Sequence, residues 1–456
     1  MLNLSYKVKS EEIFFAFVFV FLHFGAMINF LDAELPFLLI TIYLLLILLS
    51  LFVLHVVKFD FRSPVSILLA ISSLYLTLRT SFATSNFGIY YIFLLIAYNF
   101  FLFGLLLSLV LHRKNHKLEN AKELVYKNVT LVKLLNMLFM LLYVSLVQYI
   151  LYRVGATGNL VELIFLSLKT RLTITSEGLS PLLQLSYIIN TFGVGLSFIL
   201  WKAFAHKKFL LIWFAILLYY ALVLGSRGAI VLPVLQIALA FSVYRKDVFR
   251  VLFKIFLPII IITVVFSTWF ISAREGRESI DSSYSLLSRF DAYENWLRVT
   301  SDNGLVVEPA ISLLDAPLQF VPRSFYADKP YYYSTEMTRR YVPSAFNRGV
   351  NLDFGGISES IFNFYLLGPF IFGLFLGFIC NLVRKIYDIA LHTKSYIHAI
   401  IYSQSIFIPS SFFFIGWINS AMLLVCSSFF VNYLVLIFFE KLITKESKVE
   451  SIHCRG

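Results

Sequence analysis

The sequence predicts an all-α polytopic membrane protein of about 12 transmembrane helices with one large extracytoplasmic loop of short helices. Three observations predict it. The 456 residues are 59% hydrophobic and 14% charged with a mean hydropathy of +0.82, outside the range of soluble globular chains. Apolar runs of about 20 residues, enough for a helix to cross the hydrocarbon core, recur along the chain. The connections between them alternate between basic and acidic or short, as the positive-inside rule requires of a multi-spanning protein.

Taken in order, the apolar windows fall near 12–31, 36–57, 64–84, 88–111, 129–152, 181–202, 209–225, 229–244, 251–272, 357–380, 397–415 and 417–440. The first is too long for a signal-peptide core and has no small-residue cleavage site, so it reads as a retained span. Lys7 and Lys9 precede it; Lys58 and Arg62, His112 to Lys117, Lys207 and Lys208, Arg245 and Lys246, Arg384 and Lys385, and Lys441, Lys445 and Lys448 follow every second span. Both termini are therefore expected in the cytoplasm. The opposite side receives residues 153–180, with an apolar stretch from Leu160 to Lys169 expected to lie at the interface. It also receives the long polar insertion 273–356. The chain divides accordingly into 1–272 (nine spans), 273–356 (the loop, expected to cover an active site) and 357–456 (three spans and a cytoplasmic tail).

The net charge of +12 falls mostly on cytoplasmic connections, as expected of a membrane protein, and calls for no nucleic acid. None of the cysteines, Cys380, Cys426 and Cys454, lies in the loop, so no disulfide framework holds it. No metal-ligand cluster and no nucleotide-binding glycine loop is present, and no internal repeat is visible.

The loop carries nine Lys or Arg against eleven Asp or Glu. Arginine forks suit phosphate, and several converging could hold a diphosphate; the plain alternative is a solvated surface of ordinary ion pairs. Ser283 to Asp302 reads as an amphipathic helix, with Leu286, Leu287, Phe290, Tyr293 and Leu297 on one face and Arg289, Glu294 and Arg298 on the other. Pro317 to Pro330 resists regular structure and carries Arg323 and Lys329. Tyr331, Tyr332 and Tyr333 follow, suited to stacking on sugar rings or to anchoring at the interface. Glu359 is expected in the first turn of the next span, where the helix dipole favours a carboxylate whatever the function. Arg227, in the tight turn Gly225 to Gly228, is expected at the extracytoplasmic mouth. The loop has no histidine, so a base on that side would be a carboxylate.

Leu224 to Ile230, the Arg289 to Arg298 helix, Phe320 to Pro330 and Gly355 to Gly368 together resemble the Wzy-type oligosaccharide repeat-unit polymerases of bacterial surface polysaccharides, including O-antigen. The resemblance covers most of the chain as architecture and about 225–230 and 270–370 as motif. It implies a GT-C-like glycosyltransferase in the bacterial inner membrane with its loop in the periplasm. Such an enzyme transfers a growing glycan from undecaprenyl diphosphate to the non-reducing end of a new lipid-linked repeat, without nucleotide sugar, metal or other cofactor. On that reading Arg227, with some of Arg274, Arg289, Arg298, Arg323 and Arg339, holds the donor diphosphate, Glu294, Glu359 or Asp291 serves the acceptor hydroxyl, and Tyr331, Tyr332 and Tyr333 meet sugar. A chain-length regulator and a flippase of the same pathway are the implied protein partners. The alternatives are a lipid-linked oligosaccharide flippase or transporter, and an O-antigen ligase; the missing loop histidine weighs against the ligase.

Overall fold

The computed structural model describes residues 19–21, 23–31, 33, 35–57, 63–81, 89–111, 124–156, 179–224, 228–244, 292–308, 318, 325–326, 328, 330–331, 333–347, 352, 354–416 and 420–446. The protein is mostly helical. Among the described residues, five helices are long and apolar enough to cross a membrane: Pro36–Val56, Ile89–Leu111, Val129–Arg153, Leu185–Phe204 and Leu367–Thr393. Shorter apolar helices cover Phe19–Phe30, Pro64–Ser73 and Lys208–Tyr220. The spans expected at 251–272 and the interfacial stretch from Leu160 to Lys169 lie outside the described residues.

The chain forms two compact units, each discontinuous in sequence. The first comprises 1–115, 281–383 and 406–425, and the second 116–280, 384–405 and 426–456.

In the first unit, α1 (Pro36–Val56), α2 (Pro64–Ser81) and α3 (Ile89–Leu111) form the base. Proline opens α1, where its missing N–H is one the helix could not use. Tyr43 of α1 is fully buried, edge-on to Phe30, and shares a 2.9 Å hydrogen bond with His23 Nδ1. Against α3 packs α12 (Leu367–Thr393), whose residues to Val383 belong to this unit. Their approach is set by glycines: a Cβ on Gly104 would lie 2.1 Å from the Phe370 carbonyl oxygen, one on Gly373 2.0 Å from that of Phe101, and one on Gly377 2.5 Å from Ser108 Cβ. Small residues at such a seam let helix backbones touch where lipid offers no hydrophobic drive.

The polar insertion contributes α8 (Ala292–Asn303), α9 (Tyr333–Tyr341) and the short α10 (Pro343–Asn347). Of the amphipathic helix expected over Ser283–Asp302, α8 covers 292–303 while 283–291 lie outside the described residues; it buries Trp296, Val299 and Thr300, and Leu297 of the expected apolar face is only half-buried. Trp296 stacks on Phe93 of α3, with ring centroids 6.3 Å apart.

Two expected spans are broken. Near 357–380 the helix splits into α11 (Gly355–Phe364) and α12, parted at Tyr365, whose φ is +52. Near 397–415 it splits into α13 (Tyr396–Ser405) and α14 (Ile408–Ile415), with Pro409 opening the second piece. α14 packs on α11 and α2 within the first unit.

The second unit is built from α4 (Val129–Arg153), α5 (Ser180–Phe204), α6 (Lys208–Leu224), α7 (Gly228–Ser242), the end of α12, α13 and most of α15 (Ser420–Ile443). α4 and α5 pack closely, pinned by Asn136, whose amide donates to the Gly193 carbonyl at 2.8 Å and to Ser197 Oγ at 2.7 Å. Trp213 of α6 fills the space that a side chain on Gly193 would occupy. A two-stranded antiparallel ribbon joins β1 (Leu124–Tyr126) to β2 (Thr444–Glu446).

Candidate functional site

The first unit gathers most of the chemistry-bearing side chains that are described. α11 is buried along its length from Gly355 to Asn363, and Glu359 on it is only 1% exposed. Glu359 sits in the second turn of the helix, not in the first, so it is not the exposed N-terminal charge that dipole complementarity alone would explain. A buried carboxylate inside an apolar bundle is a candidate functional position, because placing it there is costly. Its surroundings are specific. Gly416, just past α14, has φ +107, and a Cβ on it would stand 2.3 Å from Glu359 Oε2; only glycine leaves room for the carboxylate there. Asn363 Nδ2 donates to the Glu359 backbone carbonyl at 2.8 Å and braces the same turn.

Over α11 lies Tyr333, the first residue of α9. Its ring meets Phe362 at 4.9 Å and Phe354 at 6.0 Å. These lie four residues to either side of Ser358, so the phenol is directed at the turn that carries Ser358 and Glu359. The Tyr333 hydroxyl is buried and makes no hydrogen bond of good geometry. Burial holds this phenol above its ordinary pKa against the opposing influence of Ser358, and the Glu359 charge adds a smaller upward push. It stays a proton carrier beside a carboxylate. Of the tyrosine run, Tyr333 has its ring engaged by α11, Tyr331 is 41% exposed with its edge on Phe346, and Tyr332 lies outside the described residues.

The outer end of α9 is charged. Arg339 presents Nε and Nη2 to the two Glu336 oxygens at 2.8 and 2.6 Å, a bidentate fork. Arg340 bonds both Glu336 and Glu308, the latter 32 residues upstream. The Glu308 backbone N–H donates to the Phe362 carbonyl at 2.9 Å, so Arg340 is tied through Glu308 to the end of α11. Spacing of three and four residues explains why Glu336, Arg339 and Arg340 share one side of α9. Thr338 is buried on that helix and accepts the Leu352 N–H at 3.0 Å. The Arg339 fork, ahead of Arg340 and against partial burial, holds Glu336 below the usual carboxylate range.

Of the expected site residues, Glu359, Tyr333 and Arg339 thus belong to one unit, with Tyr331 on the segment leading into α9. Glu294 and Arg298 fall on α8, but their side chains lie outside the described residues, as do Arg227, Arg274, Arg289, Asp291, Arg323 and Lys329 altogether. Sequence reasoning did not single out Arg340, Glu336, Glu308, Ser358 or Gly416. Only the Glu336, Arg339, Arg340 spacing was a readable local signal.

A second polar cluster lies in the second unit. Ser395 caps α13, accepting the His398 N–H at 3.0 Å, and its hydroxyl donates to Glu440 Oε1. His398 Nδ1 stands 2.9 Å from Ser395 Oγ and 3.3 Å from Glu440 Oε2. Since the serine proton goes to Glu440, Nδ1 is the donor to Ser395. One nitrogen faces both partners, so this is not the relay of a hydrolytic triad, which uses opposite nitrogens. Tyr126 of β1 accepts the first two N–H groups of α13, Tyr396 at 2.7 Å and Ile397 at 3.3 Å. The cluster completes a helix N-terminus.

No groups of three or more His, Cys, Asp or Glu suited to a metal occur among the described residues. A scan of protein-family models, a search of curated proteins and a search of solved structures each find no match to this chain.

Proposed function

We propose that the protein is a membrane glycosyltransferase that lengthens a glycan carried on a polyprenyl diphosphate, the polymerase activity that the sequence resemblance implies. The observation that supports it best is Glu359: a buried carboxylate braced by Gly416 and faced by a phenol from the polar insertion, whose helix ends in two arginines. This supplies the two kinds of group the transfer needs. A carboxylate can take the proton of an acceptor hydroxyl as it attacks the anomeric carbon, and guanidinium groups can stabilise the departing diphosphate. Tyr333, protonated and adjacent, has a hydroxyl left over for the acceptor. In this reading the termini face the cytoplasm and the insertion the opposite compartment, the bacterial periplasm.

The reaction is displacement of lipid diphosphate by a sugar hydroxyl, so purified protein should extend synthetic undecaprenyl-diphosphate-linked repeats in EDTA and without nucleotide sugar. A ladder of products that vanishes in Glu359→Gln, with folding retained, supports the reading. Single repeats throughout, from folded wild-type protein, would sink it and turn attention to transport of the same lipid-linked glycans.

A further inference from the structure

Arg339 and Arg340 are both occupied, and the way they are occupied is informative. Arg339 is exposed and spends its fork entirely on Glu336, three residues away on the same helix. The open Arg339 end of this pair limits what it adds to stability. Arg340 is held differently: one of its two carboxylates, Glu308, comes from another segment and is fixed by its own backbone bond to α11. If the Glu336 side chain swung aside, Arg340 would remain anchored by Glu308 and Arg339 would present a free fork next to it. The four charges now cancel; without Glu336 the cluster gains a net positive charge.

We infer that Glu336 is a specificity-determining residue, an internal carboxylate that occupies the Arg339 and Arg340 forks and yields them only to an anion of higher charge than itself. A diphosphate carries more charge and more acceptor oxygens than a carboxylate and displaces Glu336; a carboxylated sugar or a lone monoanion does not. Glu308 has the opposite role, positioning Arg340 for the incoming group. This inference rests on the reading of the site as a diphosphate-using one, and it is tested without relying on turnover.

The probe is inorganic pyrophosphate, titrated into detergent-purified full-length protein at fixed ionic strength, with acetate as the monoanion control. Glu336→Gln should tighten pyrophosphate binding roughly tenfold, through removal of the competing charge, and should admit acetate. Glu308→Gln should weaken pyrophosphate binding by a similar factor, because Arg340 loses its anchor. Arg339→Gln with Arg340→Gln should abolish binding in the Glu336→Gln background. If the ion pairs only support the fold, Glu336→Gln and Glu308→Gln act alike and neither tightens binding; that result overturns the inference, as does pyrophosphate binding that survives loss of both arginines. The two readings separate cleanly. Tighter binding in Glu336→Gln without any glycan ladder leaves the carboxylate exchange standing and removes the polymerase; a wild-type ladder with no tightening does the reverse.

Discussion

Replacing Gly416 by alanine tests the geometry around Glu359 without touching a charged group. Gly416 has φ +107, a conformation that costs any L residue on the order of 1–3 kcal/mol. The new methyl group would begin 2.3 Å from Glu359 Oε2, against ordinary contact from 3.4 Å outward. The carboxylate must therefore retreat by about 1 Å, and a displacement of that size at a reacting group can reduce turnover by about 100-fold. Retreat is resisted because Glu359 is buried on a helix itself buried from Gly355 to Asn363. Strain and clash together should lower the unfolding free energy by roughly 2–4 kcal/mol, measured by denaturant or thermal unfolding in detergent.

A double-mutant cycle with Glu359→Ala separates the two contributions. Truncating the carboxylate removes the clash and leaves the backbone strain, so Gly416→Ala should be milder in that background by at least about 1 kcal/mol. Additivity within about 0.5 kcal/mol would show that the carboxylate and Gly416 do not share the space described here. A Gly416→Ala protein with wild-type stability and activity would refute the geometry outright.

In the second unit, Gly193→Ala would place a Cβ 1.8 Å from Trp213 Cζ2 and should destabilise by about 1–3 kcal/mol through overpacking, whereas Gly25→Ala, with nothing within 4 Å, should be nearly silent on thermal unfolding. Asn136→Leu removes two buried hydrogen bonds between α4 and α5 and should cost about 1 kcal/mol, read as an earlier unfolding midpoint. Tyr333→Phe deletes a buried hydroxyl with no well-formed hydrogen bond, so stability should hold or rise slightly; a loss of glycan extension in that stable variant would identify the hydroxyl as working in the reaction. Because the folded-state pKa of Glu336 is depressed, its contribution to stability is complete above the ordinary glutamate pKa and is lost as pH falls through the lowered value. Unfolding followed from neutral to strongly acid pH should show that increment in the wild type and not in Glu336→Gln.

Helices that are uniformly apolar over 20 residues were legible because length and hydropathy alone define them, and Pro36–Val56, Ile89–Leu111 and Val129–Arg153 fall where the windows did. Where the apolar run continues through a break, hydropathy is blind. Ile406 and Phe407 at the break are themselves apolar, and Pro409, a helix-opening residue, is the local mark that 396–415 is two helices. Gly373 and Gly377, four apart, announce a close helix seam, although not with which partner. The β1–β2 ribbon was beyond reach, since each strand is three residues long and the pairing joins Leu124 to Glu446. Glu359 could be named from sequence, but what makes it notable could not: its burial depends on α14 and α9, brought to α11 by tertiary packing.

The two units use buried polar groups in contrasting ways, and the contrast bears on where chemistry belongs. In the second unit, Ser395, Tyr126, His398 and Glu440 spend their hydrogen bonds on one another and on the N–H groups of α13, leaving a closed set that serves the fold. In the first unit the arrangement is less economical. A carboxylate is buried where an apolar residue would pack at lower cost, a tyrosine hydroxyl beside it lacks a well-formed hydrogen bond, and glycine is required at a strained position so that the carboxylate fits. Sequences that fold without further demands avoid such combinations, and they persist where function requires them. On that ground our proposal places the reacting hydroxyl in the Glu359 neighbourhood rather than at the serine, histidine and glutamate of the second unit.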